Sequence, residues 1–266
     1  ADTFGIAPEK VRIIHTDSTS APEAPGAGGS ATTYSVAPAV EKAVLEAKRQ
    51  VLEAAGAILE AAAEDLEVVG DEVRVKGVPT RTVAFAEVVE VAHRPGGAGP
   101  INAWGRVSVA APGPMFGVHV ARVRVDRETG HVDVLRYAAI HDIGHALDRD
   151  LVRDQIYGGV VQGLGRALGE ELIYDETGQL RTASFADYTM PTADTVPPIE
   201  IELVEVPSEH GAQGSRGIGE PPVVPGIAAI ANAINDAIGL RLTAAPFTPE
   251  AIYARSALAL PARGEG

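Results

Sequence analysis

The sequence predicts an α+β fold: two lobes of mixed or antiparallel sheet with flanking helices, at residues 1–112 and 113–266. Three observations lead there. Stretches of helical periodicity recur along the chain. Short runs of alternating apolar and polar residues lie between them. The two kinds mix without the regular strand–helix–strand beat of a doubly wound sheet.

Residues 11–15 form a short β-like run, and the Pro, Gly, Ala and Ser of residues 18–30 follow as an irregular loop. Residues 40–63 are dominated by Ala, Glu, Leu and Lys, with Val40, Val44, Val51, Ala55 and Leu59 near helical spacing, which predicts a helix with one apolar face. Residues 66–69 and 73–75 flank Gly70-Asp71 as a hairpin, and a short helix is expected over 85–92. Residues 104–110, 116–125 and 131–140 alternate as three antiparallel strands, the last two joined by a turn at Arg127-Glu128-Thr129-Gly130. A glycine-bearing helix at 151–172, a strand at 199–206 and a helix at 227–238 closed by Gly239 come next. Thr248 as N-cap and Pro249 in the first turn open a last helix.

Composition narrows the functional classes. The 266 residues suffice for one large domain or two modest lobes with a real core. A net charge of −14 repels phosphate backbones and anionic lipid surfaces, so neither nucleic acid nor membrane is an expected partner. The chain has no cysteine, which excludes disulfides, zinc–thiolate sites and iron–sulfur ligation within it, so any such cluster sits on a partner. No apolar run has the length of a membrane span and the opening residues carry no signal-peptide core, which reads as a cytoplasmic protein.

Four stretches could carry chemistry. In residues 155–165, glycines inside a helix each cost roughly 1 kcal/mol against alanine, so a backbone or ligand must approach closely. Gly159 and Gly163 share a face there, as do Gln155 and Gln162, whose amides can both donate and accept. Tight helix packing is the favoured explanation from residue types alone. Residues 214–222 alternate glycine ahead of Glu220-Pro221-Pro222. Glu220 reads either as a carboxylate complementing the following helix dipole or as a buried general base fixed between glycine and proline. Residues 26–33 offer small residues, amides and hydroxyls that can cradle a phosphate or pterin, or simply a linker. His141 and His145 lie four apart, but no third ligand is evident, and a metal held by side chains is not expected.

Order and wording say more than any single stretch. The phrases QIYGGVVQGLGRALGEEL from Gln155 and GSRGIGEPPVVPGIAAIANAI from Gly214, with FGVHVARVRVDRETGHV from Phe116 and the loop from Asp17, resemble the molybdenum-cofactor subunit of the xanthine dehydrogenase, aldehyde oxidoreductase and carbon monoxide dehydrogenase superfamily. The resemblance covers nearly the whole chain. It implies Glu220 as catalytic base, Gln162 as a molybdopterin contact, Gly28, Gly29 and Ser30 as a loop against the molybdenum centre, Thr32 as a nearby hydroxyl contact, and Gly219 lining the same place. It further implies a molybdenum–molybdopterin cofactor in the cytosine dinucleotide form, with 2Fe-2S clusters and FAD on an iron–sulfur subunit and an FAD subunit.

The implied activity is hydroxylation of a small-molecule substrate, an N-heterocycle or aldehyde, with oxygen from water. Arg216 stands where the family often writes lysine, which puts a direct cofactor contact there in doubt. The chain is also shorter than the family's subunit. The amino-terminal half, or a second molybdenum subunit, is expected as a partner and the chain is not expected to act alone. A non-catalytic assembly subunit of the same fold, a carbon monoxide dehydrogenase-type subunit and an unrelated binding domain are the competing readings.

Overall fold

The computed structural model describes residues 1–14, 17, 19, 21–24, 26–108 and 113–259, with the side chains of 257–259 left aside. The described residues group into two compact units, one within 1–26 and 31–111, the other within 27–30 and 112–266. The chain is α+β.

The first unit is built on helix α1, Ala37–Leu59, which continues a π-helical turn at Thr32–Val36. Pro38 suits its first turn, and it ends where Glu60 takes a left-handed conformation, φ 45°. Its buried residues Val51, Ala54, Ala55 and Leu59 recur at three- and four-residue spacing. They face the antiparallel sheet of β1 (Leu66–Val69), β2 (Glu72–Val75) and β3 (Val78–Ala84), and helix α2 (Phe85–His93). Leu66, Val68, Val73, Val83 and Val88 complete that core. Val40, expected on the apolar face, is exposed.

Residues 104–108 are not a strand, contrary to expectation, and 109–110 lie outside the described residues. The segment lies on α1 instead: a Cβ at Gly105 would fall 1.6 Å from the Ala39 carbonyl oxygen, so only glycine permits the approach. Residues 11–14 likewise form no strand, and His15 lies outside the described residues.

In the second unit, β4 (Phe116–Val125) pairs antiparallel with β5 (Val132–Asp142) through the expected turn, where Gly130 has φ 77° and Asp126 Oδ1 accepts the Glu128 and Thr129 N–H groups. Helix α3, Arg149–Leu168, starts on Asp148, whose carboxylate accepts the N–H groups of Asp150 and Leu151 at 3.0 Å. Strand β6, Ile199–Val204, then pairs with β5 in parallel, a geometry that a long crossover such as the one through α3 permits. Helix α4, Gly226–Ile238, ends at Gly239 with φ 72°, and α5, Pro249–Ala259, opens with Thr248 Oγ1 accepting the Ala251 N–H.

Tyr137, Ala139 and His141 alternate on the buried face of β5. Ile156, Val160 and Leu164 of α3 and Ile230 and Ile234 of α4 belong to the same core. No helix among the described residues is long and apolar enough to cross a membrane.

Candidate functional site

Glu220 and Ser30 are 190 residues apart in sequence and in contact in the fold. Ser30 ends a tight turn, Gly28–Ser30, and takes φ 57°, a left-handed conformation that costs a non-glycine residue on the order of 1–3 kcal/mol. Its buried hydroxyl accepts the Glu220 backbone N–H at 2.8 Å and donates to Glu220 Oε2 at 3.4 Å. One small side chain thus holds both the backbone and the carboxylate of Glu220.

The alternating glycines make this contact possible. A Cβ at Gly217 would lie 2.5 Å from the Ser30 carbonyl oxygen and 2.8 Å from Ser30 Cβ, and one at Gly219 would lie 3.3 Å from Ser30 Oγ. Their structural role is to let the Ser30 turn lie against the Glu220 loop.

Glu220 itself is exposed among the described residues, in contrast to the buried carboxylate of the general-base reading. It precedes a turn over residues 221–225, in which its carbonyl accepts the Val223 N–H at 3.0 Å, and so stands outside the first turn of α4. A helix dipole acts within that first turn, which weakens the dipole-complement explanation for this residue.

Helix α3 lies beside the loop. A Cβ at Gly159 would fall 2.5 Å from Pro222 Cβ, and one at Gly163 would fall 3.2 Å from the Val223 oxygen and 3.3 Å from Gly226 Cα. The close approach that the helical glycines require is therefore to the Pro222 ring in the turn before α4 for Gly159, and to backbone at the start of α4 for Gly163. Gly158 differs: it is exposed and a Cβ there meets nothing within 4 Å.

Gln155 Nε2 reaches the Gly219 carbonyl at 3.4 Å. Gln162 shares its face two turns on, roughly 10 Å along the axis at 1.5 Å per residue, and is exposed. Gly28 and Gly29 are exposed, and a Cβ at Gly28 meets nothing within 4 Å. The second unit therefore gathers Ser30, Gly219 and Glu220 at one point, with Gln155 adjoining them. Gln162 is on the same face of α3 as Gln155, two turns further along. Thr32 is exposed at the start of the π-helical turn of the first unit.

The two histidines four apart serve different partners. His145 is exposed beside Glu205, with Nδ1 3.1 Å from Oε2. His141 is buried on β5, where its Nε2 lies 2.8 Å from His119 Nε2, and His119 Nδ1 lies 2.8 Å from the Tyr137 hydroxyl. Burial lowers the pKa of both rings; His119 falls to about 4, with the neighbouring His141 as the second cause. The same burial raises that of Tyr137. A Cβ at Gly117 would fall 2.5 Å from the His141 ring, so that glycine makes the space the imidazole occupies.

Sequence reading missed Arg216 as a structural centre. Its guanidinium bonds the Pro114 and Val206 carbonyls and faces Asp142. The signal was a single arginine among glycines in a loop, and its partners are too far away in sequence to be read.

Comparison with known proteins places the chain in a family. The family described as the molybdopterin cofactor-binding domain matches residues 1–197. The chain belongs to that family. The xanthine dehydrogenase molybdenum-binding subunit of Escherichia coli O157:H7 is 32% identical over 257 residues, 95% of this chain and 34% of the relative. The nicotine 6-hydroxylase large subunit of Paenarthrobacter nicotinovorans is 44% identical over 144 residues, 52% of this chain and 18% of the relative. Among solved structures, the Cu,Mo-CO dehydrogenase superposes with a TM-score of 0.79 at 28% identity, covering 90% of this chain and 31% of its own. Quinoline 2-oxidoreductase from Pseudomonas putida 86 gives 0.73 at 34% identity, covering 82% of this chain and 29% of its own. The chain spans about a third of the length of the curated relatives it matches over nearly its whole length.

Proposed function

We propose that this chain is the Glu220-bearing part of a molybdenum hydroxylase that oxidises an N-heterocycle or an aldehyde with oxygen derived from water. The observation that carries the reading is the double hold of Ser30 on Glu220, which leaves an exposed carboxylate fixed at both backbone and side chain. An enzyme base needs that kind of fixed position, and contact with a reacting group rather than bulk water supplies the rest.

The exposed face fits the cofactor. No described residue crowds Gly28 or Gly158: a Cβ would meet nothing within 4 Å at either. A helical glycine kept at a cost of about 1 kcal/mol with no neighbour to accommodate leaves room for a group from outside. Gln155 and Gln162 bring amides that donate and accept to the same helix, which suits a pterin edge. The residues of the second unit that would hold the cofactor are Gln162, Gly28, Gly29, Ser30 and Gly219.

A molybdenum–molybdopterin group, in its cytosine dinucleotide form, supplies the redox chemistry when bound. Glu220 accepts a proton at its carboxylate during oxygen transfer, Ser30 keeps that carboxylate aimed, and Gln155 steadies the Gly219 carbonyl beside it. The rest of the molybdenum subunit, or a second one, completes the pocket in the cytoplasm. The 2Fe-2S clusters and FAD sit on partner subunits, consistent with a chain that has no cysteine. The higher identity to the nicotine 6-hydroxylase large subunit than to the carbon monoxide dehydrogenase large chain, 44% against 35%, supports the heterocycle class over carbon monoxide.

The test is Glu220→Gln in the holoenzyme that contains this chain. Turnover is expected to fall on the order of 10²–10⁴-fold with molybdenum content unchanged. Near-wild-type turnover would refute the assignment of the base.

A further inference from the structure

We propose that Asp142 and Arg216 form a positioning pair that fixes where the Glu220 loop leaves the second unit, and through the loop the place of the Glu220 carboxylate. The proposal rests on the reading of Glu220 as the base. Both side chains are nearly buried, 9% exposed for Arg216 and 12% for Asp142, and Arg216 Nε lies 3.3 Å from Asp142 Oδ2.

Each partner ties several segments. Asp142 is the last residue of β5, and its Oδ1 accepts the Gly144 N–H at 3.0 Å and the Val206 N–H at 3.2 Å. Arg216 donates through one terminal nitrogen to the Pro114 carbonyl at 2.6 Å and through the other to the Val206 carbonyl at 3.1 Å, while its backbone N–H donates to the Ile143 carbonyl at 2.9 Å. The lead-in to β4, the end of β5, the exit of β6 and the start of the Glu220 loop therefore meet at one charge pair.

Packing leaves the pair no slack. A Cβ at Gly144, φ 70°, would fall 2.2 Å from the Gly214 oxygen and 2.9 Å from Arg216 Cγ, and one at Gly113 would fall 3.3 Å from an Arg216 terminal nitrogen. The two terminal nitrogens of the fork hold the two carbonyls, and Nε faces Asp142 as an ion pair without a hydrogen bond; a lysine ammonium has the charge without that geometry.

The loop needs such an anchor. Gly217 and Gly219 occupy two of the three positions between Arg216 and Glu220, and glycine restricts its own backbone least of all residues. Its course is set by what grips its ends: Ser30 at Glu220, and the Asp142–Arg216 pair at the other end. A buried ion pair is a poor general source of stability against apolar alternatives, so holding geometry is the role that fits this one. Misplacing a reacting group by about 1 Å costs on the order of 10²-fold in rate.

The experiment compares Arg216→Ala, Arg216→Lys and Asp142→Asn in the holoenzyme, with Glu220→Gln as control. Amide hydrogen exchange is followed over residues 215–220. Turnover is measured with quinoline, nicotinate and xanthine as probes, using the one the wild type oxidises fastest. Arg216→Ala and Asp142→Asn are expected to raise exchange in that segment by about tenfold or more while β1–β3 keep their protection. They are expected to lower kcat on the order of 10²-fold, with KM within about threefold and molybdenum content unchanged. Added guanidinium is expected to restore part of both readouts in Arg216→Ala and neither in Asp142→Asn.

Wild-type exchange and kcat in both variants would overturn the proposal. So would exchange raised equally across the second unit without a selective loss of kcat, the signature of a stabilising role only. Should Arg216→Ala not fold, Arg216→Lys decides: raised local exchange and lowered kcat support the pair, and wild-type values overturn it. Full turnover in Glu220→Gln together with raised exchange in the pair variants would remove the reading of the base and leave the anchoring intact.

Discussion

Gly217→Ala is the sharpest test of how the Glu220 loop is built. The new methyl group would sit 2.5 Å from the Ser30 carbonyl oxygen, roughly 0.9 Å short of ordinary van der Waals contact, and 2.8 Å from Ser30 Cβ. The obstructing atoms are backbone and Cβ, not the end of a flexible side chain, so the Ser30 turn must move as a body. Overpacking of this kind costs about 1–3 kcal/mol. A shift of that size also breaks the 2.8 Å bond from the Glu220 N–H to Ser30 Oγ, worth a further 0.5–1.5 kcal/mol or so. Together the loss is about 1.5–4.5 kcal/mol. It is read as a fall in the urea midpoint of the second unit at unchanged slope. Gly28→Ala is the control: its Cβ meets nothing within 4 Å, and a change within about 0.5 kcal/mol is expected. If Gly217→Ala unfolds within about 0.5 kcal/mol of the wild type, the close approach of Ser30 to this loop is wrong.

Two further outcomes are expected. Because His119 titrates at about 4 in the folded chain and at about 6.5 when free, the unfolded state binds more protons between those values; stability is full above pH 6.5 and declines as pH falls towards 4. His119→Gln should flatten part of that decline in a pH series of urea melts, and an unchanged profile would remove the histidine from the account. Asp148→Ala should destabilise α3 by about 0.5–2 kcal/mol through loss of its N-cap, and amide exchange at Asp150 and Leu151 unchanged from the wild type would contradict that role.

Local signals were legible in the sequence where the chemistry is local. Thr248 and Pro249 opened a helix, Gly239 closed one, and the turn before Gly130 was read from its residues, because caps and turns depend on neighbours within a few positions. Asp148 extended α3 two residues earlier than expected by capping it. Strand β3 went unread because Pro79 and three polar residues break its alternation, which suits a strand at the edge of its sheet. The alternation at 104–108 misled for the opposite reason: it records packing on α1, as Gly105 shows, and not a ladder. The parallel pairing of β5 with β6 joins residues about sixty apart, and no local pattern encodes it.

The site divides in the same way. Glu220, Gln162 and Ser30 were singled out by the wording of whole motifs; taken one at a time, the residue types favoured plainer explanations. What Ser30 does to Glu220 lies 190 residues across the chain, and the network of Arg216 joins segments up to 102 residues apart. Burial of Glu220 could not be read locally because it depends on what surrounds the loop, and among the described residues the carboxylate is open.

The central claim is that this chain helps to hold a molybdenum cofactor beside Glu220. The most direct measurement is the metal content of the protein purified gently from its own source, wild type beside Gln162→Ala. The account predicts about one molybdenum per chain, with iron-bearing and flavin-bearing companions, and a lower molybdenum content in Gln162→Ala. Companions without molybdenum would contradict it in favour of an assembly subunit, and full molybdenum in Gln162→Ala would remove that residue from the cofactor's hold.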